Sequence, residues 1–354
     1  MLDIVLCCND EPEELVAEAV RSLQIPRFRQ RIAIACNGSR DYSHLAEGQH
    51  LDAVLRASWN GGIGQLRNLG VRWRRAPLVM FVDGHMIIQD WATALPLILE
   101  AFERHSDLGI LTGLYKASGD GLGARARDLQ YRGLSGKTSL GGLVLSKHQW
   151  ITITGGLSVF RADIFAAAGI FPMSYRSSAC EDIFVQLRAN ALGWTAGLLP
   201  QLRAEHHHPM SLWRYYATVA HRNPRGSARL LVSMILRECP PKLSGYVCEL
   251  PAWSLFLWAS APVALFVHPV LGLSTAVWGL VGLSARCQSM AVTSRSRLEL
   301  LHASLGYAID KLLKVPWFGV ACLERILMPL AGARRGRPKH DDDIAGAHRQ
   351  SAPL

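Results

Sequence analysis

One apolar segment of this chain ends abruptly in residues that ligate metals. The run from Val79 to Val82 has the length and composition that predict a buried β-strand. Asp83, Gly84 and His85 follow it directly, so the strand delivers a carboxylate and an imidazole two positions apart. Carboxylate oxygen and imidazole nitrogen are both common ligands of divalent metals. The pattern therefore predicts a metal site at the carboxyl end of a sheet strand.

The sequence before this strand alternates between strand patterns and helix patterns. Strands are predicted at 2–6 and 31–35, and amphipathic helices at 13–23 and 65–75. Turn-forming polar residues follow both strands, and glycines among residues 61–64 precede the second helix. Alternation of this kind predicts an α/β fold in which helices flank a mainly parallel sheet. Ligands of such folds bind at the carboxyl ends of the strands.

Short motifs with polar or charged residues stand at successive points between residues 1 and 230. In chain order they are Asn9-Asp10-Glu11, Asn37-Gly38-Ser39-Arg40-Asp41, Leu66-Arg67-Asn68-Leu69-Gly70, Asp83-Gly84-His85, Gly155 to Arg161, and Glu181-Asp182 before Leu192-Gly193-Trp194. No single motif is specific, because each is short enough to occur by chance. Their order and spacing resemble those of the family 2 glycosyltransferases, which have the GT-A fold, and in particular the membrane-attached bacterial type.

The resemblance implies a GT-A catalytic domain over residues 1–235 with a nucleotide-diphosphate sugar as donor. The donor-binding residues that it implies are Asn9, Glu11, Asn37, Ser39, Arg67 and Asp83. Two positions depart from the family pattern. Asn37 stands where the family commonly has an aspartate that hydrogen-bonds to the nucleobase. Because an amide both donates and accepts hydrogen bonds, Asn37 does not indicate which nucleobase binds. His85 replaces the last aspartate of Asp-x-Asp, and in glycosyltransferases with Asp-x-His the histidine remains a metal ligand.

A metal at Asp83 and His85 would serve the chemistry of such a donor. The leaving nucleotide diphosphate develops negative charge, which a Lewis acid stabilises. Because Mg²⁺ prefers oxygen ligands and Mn²⁺ accepts imidazole as well, His85 favours Mn²⁺ over Mg²⁺. A third ligand is expected within Glu205-His206-His207-His208-Pro209, where His206 is the favoured residue and a solvated turn is the alternative.

Glu181 and Asp182 are the predicted proton-transfer residues. Transfer with inversion needs a carboxylate that accepts the proton of the attacking hydroxyl. The resemblance assigns this role to Asp182, with Glu181 orienting the acceptor or the base. Acids in the first turn of a helix also respond to the helix dipole, so a structural role is the alternative. Arg67 has two interpretations as well, a contact to the donor diphosphate or sugar and a solvated position on an exposed helix face.

The apolar run from Trp253 to Ala285 contains no Lys, Arg, Asp or Glu. It is longer than the about 20 residues that one membrane crossing needs. Pro262 and Pro269 interrupt it, so it predicts either one tilted span or a hairpin of two short helices. We therefore expect a C-terminal hydrophobic, membrane-associated helical region over residues 236–331.

The remainder of the C-terminal region is charged. Residues 301–331 contain Glu324 and Arg325 and predict an amphipathic helix at a membrane surface. Residues 332–354 carry clusters of both signs of charge and predict a disordered tail.

Charge and cysteine content narrow the class of partner and the compartment. The formal net charge is +10 at pH 7, yet no nucleic-acid motif accompanies it, so we expect nucleotide phosphates and anionic membrane lipids and no nucleic acid. The 8 cysteines lack paired metal-ligand spacing and indicate a reducing compartment. The first strand follows Met1 too closely for a cleavable signal peptide. These features predict a protein of the cell inner membrane whose catalytic domain is cytoplasmic.

The expected function is metal-dependent, inverting transfer of a single sugar to an acceptor that is plausibly lipid-linked, in cell-surface polysaccharide or glycolipid synthesis. Single addition is expected because the Gln-x-x-Arg-Trp signature of processive synthases is absent, with His221, Arg222 and Arg225 in its place. The main alternative is a non-catalytic GT-A-like subunit of a membrane polysaccharide assembly complex. A nucleotidyltransferase is a second alternative, although its Gly-rich, basic N-terminal loop is missing.

Overall fold

The computed structural model describes residues 1–25, 30–48, 51–58, 61–118, 121–132, 142–146, 155–172, 179–207, 210–238, 260–262, 264–294 and 296–334. Nine strands within these ranges form one central sheet. They are β1 (Leu2–Cys8), β2 (Gln30–Cys36), β3 (Ala53–Arg56), β4 (Leu78–Asp83), β5 (Met86–Gln89), β6 (Leu108–Ser118), β7 (Val144–Ser146), β8 (Leu157–Arg161) and β9 (Thr195–His207). The order across the sheet is β3-β2-β1-β4-β8-β6-β9-β5, and β7 pairs with β9.

The sheet is mixed, whereas the sequence predicts a mainly parallel one. β1 pairs parallel with β2 and β4, and β2 pairs parallel with β3. β8 runs antiparallel to β4 and β6, while β5 and β7 run antiparallel to β9. Among the described strands outside the β3-β2-β1-β4 group, β6 and β9 form the one parallel pair. The antiparallel pairs join strands that are distant in the chain, such as β4 with β8 and β5 with β9, so the local alternation of strands and helices does not predict them.

The described helices surround this sheet and continue beyond it. They are α1 (Glu13–Ser22), α2 (Leu45–Gly48), α3 (Ile63–Trp73), α4 (Trp91–Arg104), α5 (Leu122–Arg132), α6 (Asp163–Ala167), α7 (Glu181–Ala191), α8 (Leu212–Ala217), α9 (Asn223–Ile235), α10 (Pro269–Thr293) and α11 (Arg297–Arg334). A π-helical turn, Thr218–Arg222, joins α8 to α9.

Each face of the sheet is covered by its own apolar cluster. Side chains alternate along β1, so Ile4 and Leu6 join one cluster and Val5 joins the other. The first cluster includes side chains of α1 and α4, and the second includes those of α3, α6 and α7. In the second cluster Phe81 makes edge-on contacts with Phe160 at 5.7 Å and Phe171 at 5.5 Å between ring centroids. The parallel half is thus buried on both faces, which leaves the strand ends to form a site.

The long helix α11 packs against α9 and α5. Glu324 of α11 accepts hydrogen bonds from Arg225 and Arg229 of α9 at 2.7 and 2.8 Å. The indole of Trp317 donates to the backbone oxygen of Ala220 at 3.1 Å. The segment predicted as an amphipathic helix at 301–331 therefore lies within α11, and its Glu324 contacts protein.

The apolar run at 253–285 does not form the predicted membrane-spanning segment within the described residues. Helical backbone covers 260–262 and 264–267, leaves helical geometry at His268, where φ is −158° and ψ is 121°, and resumes as α10. From Pro269 to the charge of Arg286, α10 offers fewer apolar residues than the about 20 that a crossing needs. None of the described helices is long and apolar enough to cross a bilayer.

Two predicted segments fall partly outside the described ranges. Residues 253–259 and 263 of the apolar run lie outside them, as do residues 335–354 of the predicted disordered tail. The first residues of that tail, 332–334, are the last turn of α11.

Candidate active site

The end of β4, the turn into β5 and the end of β9 bring together three side chains of the types that ligate metals. β4 ends at Asp83, and the turn that leads into β5 carries His85. β5 pairs antiparallel with β9, which places Met86 opposite His206. Ligand atoms of Asp83, His85 and His206 lie within 4.8 Å of one another. His85 Nε2 and His206 Nε2 are 2.7 Å apart, so one carboxylate and two imidazoles converge.

This donor set fits a divalent metal, because mixed oxygen and imidazole ligation suits transition metals such as Mn²⁺. Glu11 Oε1 lies 3.1 Å from His85 Nδ1, the second nitrogen of that ring. Metal-bound histidines are commonly oriented by a carboxylate at that second nitrogen. Glu11, predicted as a donor-binding residue, therefore occupies the position of a group that orients a metal ligand.

Strand β9 distinguishes the histidines of the predicted metal segment. His206 is buried and contacts His85. Side chains alternate along a strand, so His207 belongs to the other face, where it pairs with Glu205 at 3.4 Å. His208 lies outside the described residues. Of the two described histidines, His206 is the one that the fold brings to the cluster.

Arg67 of α3 lies between Asp83 and Glu181, the first residue of α7, and contacts both. It is buried, with 3% of its surface exposed, and its guanidinium contacts Glu181 and lies 3.5 Å from Asp83 Oδ1. Burial opposes the charge on Arg67, but the neighbouring carboxylates outweigh burial and raise its pKa. The alternative of an exposed helix face is therefore wrong, and the guanidinium is already engaged with carboxylates.

Glu181 and Asp182 begin α7 in different surroundings. Glu181 is buried, and its burial and the charge of Asp182 raise its pKa, against the lowering effect of Arg67. Asp182 is half-buried and accepts hydrogen bonds from the backbone N–H groups of Gly155 at 2.6 Å and Ile183 at 2.8 Å. Asp182 is thus the more accessible of the two acids, and its carboxylate is held in a fixed orientation.

Gly155 and Gly156 pack closely against two charged side chains of the site, Arg67 and Asp83. A β-carbon on Gly155 would lie 2.4 Å from the Arg67 guanidinium, and one on Gly156 would lie 2.3 Å from Asp83 Oδ2. The backbone N–H of Asp83 donates to the oxygen of Gly156 at 3.0 Å. Only a residue without a side chain allows the backbone to approach the charged groups this closely.

The loops that follow β1 and β2 hold each other in place. Asp10 has a φ of 61° and accepts hydrogen bonds from the backbone N–H of Arg40 at 2.9 Å and the Ser39 hydroxyl at 3.3 Å. The bond from Arg40 lowers the pKa of Asp10 most. A β-carbon on Gly38 would lie 2.0 Å from Asp10 Oδ1. The predicted donor residue Ser39 is therefore fixed by Asp10, to which the sequence alone gave no role.

Asn9 and Asn37 stand at the ends of β1 and β2, at the same edge of the sheet. The backbone N–H of Asn9 contacts the Glu11 carboxylate, and that of Asn37 donates to the oxygen of Cys8 at 3.4 Å. Arg56, at the end of β3, donates to backbone oxygens of the loop after β2 at 3.2 and 2.9 Å. Strand β3 has only three apolar residues before Arg56, too few for the sequence to predict a strand there, so Arg56 was not identified.

Arg222 is a second cation that acts on the acids of α7. It ends the π-helical turn, and its charge lowers the pKa of Glu181. The turn is packed by α11, since His221 meets Trp317 edge-on with ring centroids 4.7 Å apart. Single π-helical turns are frequent at functional sites. The sequence indicated Arg222 only as part of a missing signature, because its partner acid is distant in the chain.

No protein-family model matches the sequence, and no curated protein matches it significantly. Several solved structures match this chain. The mannosyltransferase PcManGT from Pyrobaculum calidifontis, in complex with GDP-Man and Mn²⁺, matches 92% of this chain and 86% of its own at 12% identity and a TM-score of 0.50. GalNAc-T7 with UDP, GalNAc and Mn²⁺ matches 70% of this chain and 55% of its own, with 12% identity and a TM-score of 0.46. TarS from S. aureus matches 88% and 54%, with 14% identity and a TM-score of 0.47. The first likeness shows that the chain has a glycosyltransferase fold, while membership of family 2 stays a prediction.

Proposed function

We propose that this chain is a metal-dependent glycosyltransferase of family 2, which moves one sugar from a nucleotide-diphosphate sugar to an acceptor hydroxyl. The observation that carries the proposal is the convergence of Asp83, His85 and His206 at a strand end, joined through Arg67 to the acids of α7. The fold shared with a mannosyltransferase that was solved with GDP-Man and Mn²⁺ supports it.

Asp83, His85 and His206 would hold the metal. Bound there, a divalent ion supplies positive charge to the diphosphate leaving group. The pair of imidazoles favours Mn²⁺ over Mg²⁺, because Mg²⁺ prefers oxygen ligands. Glu11 keeps the His85 ring oriented through Nδ1, at 3.1 Å.

Asp182 is the proposed base. Its carboxylate accepts the proton of the acceptor hydroxyl while that oxygen forms a bond to the anomeric carbon. The bond from this carbon to the phosphate oxygen breaks, and its electron pair leaves with the nucleotide diphosphate. Attack opposite the leaving group inverts the anomeric centre. The N–H groups of Gly155 and Ile183 aim the carboxylate, and Glu181 fixes the start of α7 through Arg67.

The donor nucleoside is placed at the rim formed by the loops after β1 and β2. Asn9, Asn37 and Ser39 are the proposed contacts there, and the mutual hydrogen bonds of Asp10 and the second loop make this rim rigid. Arg67, whose guanidinium is engaged with Asp83 and Glu181, serves in this proposal to position the site and does not contact phosphate.

The setting of the reaction is proposed from the sequence. Single addition follows from the missing processive signature, and the apolar C-terminal region with its flanking arginines favours the cytoplasmic side of the cell inner membrane. A lipid-linked acceptor in polysaccharide or glycolipid synthesis fits that location. Residues 1–235 would form the catalytic domain, and residues 236–331 would form the helical part that associates with the membrane.

A binding screen tests the proposed donor site. Purified protein is titrated with UDP, GDP, CMP and dTDP, with and without Mn²⁺, and His85→Ala serves as the control variant. The proposal expects one nucleotide to bind in a manner that depends on Mn²⁺, and expects this binding to be lost in His85→Ala. Absence of binding under every condition would contradict the proposed site.

The proposed function and the two alternative functions are distinguished by the product that each would release. A non-catalytic subunit would bind a nucleotide and release no nucleotide diphosphate from any nucleotide sugar. A nucleotidyltransferase would release pyrophosphate. The proposed transferase releases a nucleoside diphosphate, and Asp182→Asn should prevent that release while donor binding is retained.

A further inference from the structure

The chain around the helix break at His268 exposes its apolar side chains to solvent. Phe266 is 95% exposed, Val267 is 73% exposed and Val270 is 66% exposed. Every residue from 265 to 271 is exposed, so the exposure covers a whole turn and not one face of a helix. We refer to residues 265–271 as the apolar tip.

The apolar tip joins two helical segments, each of which keeps its helical hydrogen bonds up to the break at His268. The N–H of His268 donates to the oxygen of Ala264 at 2.7 Å, and the N–H of Gly272 donates to the oxygen of His268 at 3.0 Å. A β-carbon on Gly272 would lie 2.3 Å from the Leu265 side chain, so the chain on the two sides of the break is in close contact. The exposed side chains are therefore presented by a constrained backbone.

A contiguous apolar surface of this kind indicates a binding partner. Single exposed apolar residues are normal on a protein, but an uninterrupted patch marks an interaction site for a protein or a membrane. The patch continues from the apolar tip into α10, where Leu273 is 65% exposed and Val277 is 51% exposed.

The pattern of charge favours a lipid surface over a second protein. Between residues 251 and 298 there is no Asp or Glu, and the charged residues are Arg286, Arg295 and Arg297. An apolar projection followed by arginines alone matches a bilayer with anionic headgroups, because apolar side chains enter the acyl region and arginines stay with the phosphates.

We propose that the apolar tip inserts into one leaflet of an anionic bilayer without crossing it. The inference deepens the membrane location proposed above by naming the surface that makes the contact. It does not depend on sugar transfer, since it concerns residues outside the donor site.

Vesicle flotation of the purified full-length chain tests the inference. Vesicles of phosphatidylcholine alone are compared with vesicles that also contain phosphatidylglycerol, and the partition coefficient is measured for the wild type and for Phe266→Asp. We expect the wild type to float with the anionic vesicles and Phe266→Asp to lower the partition coefficient by about tenfold or more, because one large apolar side chain is lost from the acyl region. Leu192→Asp is the matched control, since Leu192 is 55% exposed in the catalytic part, and it should partition as the wild type does.

Three results would overturn the inference. The first is a wild type that fails to float with anionic vesicles, and the second is equal partitioning of Phe266→Asp and Leu192→Asp. The third is a wild type that light scattering shows to be a dimer and that Phe266→Asp converts to a monomer without a change in flotation, because the tip would then contact a second copy. Nucleotide binding with Mn²⁺, measured on the same samples, reports on the proposed function separately.

Discussion

At the scale of single residues, Glu11 Oε1 lies 3.1 Å from Nδ1 of His85, and we propose that it orients this imidazole. Glu11→Gln removes the charge that orients the ring and keeps the shape of the side chain. We expect the affinity for Mn²⁺ to fall by about 10–100-fold, the usual effect of losing such a partner. Titration followed by electron paramagnetic resonance measures this. Glu13→Gln removes the same charge where Glu13 meets the exposed His44, and an equal loss in both variants would contradict the role of Glu11.

Arg67→Gln should make folding stability depend on pH through Glu181. Burial already raises the pKa of Glu181, and of the two cations that oppose this, Arg67 has the larger effect and Arg222 the smaller. Without Arg67 the pKa rises further, and an acid whose pKa is higher in the folded state than in the unfolded state loses stability as pH rises through that folded pKa. We expect Arg67→Gln to lower the free energy of unfolding by about 3–5 kcal/mol near neutral pH. The decrease should be smaller at pH values below the ordinary glutamate pKa.

Chemical denaturation at several pH values measures this effect. The double variant Arg67→Gln/Glu181→Gln removes the buried charge together with its partner, so it should recover most of the lost free energy of unfolding. A double variant no more stable than Arg67→Gln, or a loss that is the same at every pH, would show that the ion pair does not carry the effect.

The sequence offered candidate site residues but not the contacts among them. Asp83 and His85 are adjacent to a strand pattern, and His206 lies in a conspicuous run of histidines. The contact of His85 with His206 joins residues separated by 121 positions, and that of Arg67 with Glu181 joins residues separated by 114 positions. Pairing of β5 with β9 creates the first contact, and the long side chain of Arg67 creates the second by reaching from α3 to the start of α7. No local pattern encodes either contact.

At the scale of elements, the segment that begins at Gly155 packs against Asp83, the proposed metal ligand. Gly156→Ala would place a β-carbon 2.3 Å from Asp83 Oδ2. We expect the Mn²⁺ affinity to fall by about tenfold or more, as when a supporting group is lost, while overpacking costs about 1–3 kcal/mol of folding free energy.

Metal titration and thermal melting on the same sample test this prediction. In the control variant Gly142→Ala, the new β-carbon meets nothing within 4 Å, so it should change neither quantity. If Gly156→Ala bound Mn²⁺ as tightly as the wild type, the Asp83 carboxylate would not need its present position.

Glu324 of α11 forms ion pairs with Arg225 and Arg229 of α9. These pairs should stabilise the fold only at pH values at which Glu324 is ionised. Burial raises the pKa of Glu324, but hydrogen bonds from Arg229 and Arg225 outweigh burial, so the pKa is lowered. A lowered carboxyl pKa gives stability that is present above the unfolded pKa and lost as pH falls through the folded pKa. We expect Glu324→Gln to cost about 1 kcal/mol at neutral pH and little below the folded pKa.

Denaturation of Glu324→Gln and the wild type across a pH series measures the difference. Glu100→Gln breaks an exposed pair with Arg104 and should change stability little, because exposed pairs contribute little. A difference between Glu324→Gln and the wild type that persisted unchanged in acid would mean that the ion pairs do not hold α11.

Element positions follow from local patterns where the strands are buried. The predicted strands at 2–6 and 31–35 correspond to Leu2–Cys8 and Gln30–Cys36, and the predicted helix at 65–75 corresponds to Ile63–Trp73. The antiparallel half was not predicted, because its order depends on contacts between distant segments. The break at His268 directly precedes Pro269, one of the two prolines that the sequence predicted to interrupt the apolar run, because proline cannot continue a helix from the preceding residue.

At the scale of the whole molecule, the parallel half and the antiparallel half meet at β4. Strand β4 pairs parallel with β1 and antiparallel with β8. The loops after β1 and β2, proposed to bind the nucleoside, lie on the parallel side, whereas His206 and the segment that begins at Gly155 come from the other side. The alternation of strands and helices was sufficient to predict a rim at the strand ends, and the resemblance of motifs was needed to predict the second half of the site.

Product analysis is the most direct test of the proposed glycosyltransferase activity. Purified full-length protein is incubated with Mn²⁺, a panel of nucleotide sugars and acceptors, and the released nucleotides are quantified. We predict release of a nucleoside diphosphate that requires Mn²⁺, is lost in His206→Ala, and falls by about 10²–10⁴-fold in Asp182→Asn with donor binding retained. Donor binding without nucleoside diphosphate release, or release of pyrophosphate in its place, would contradict the proposed activity.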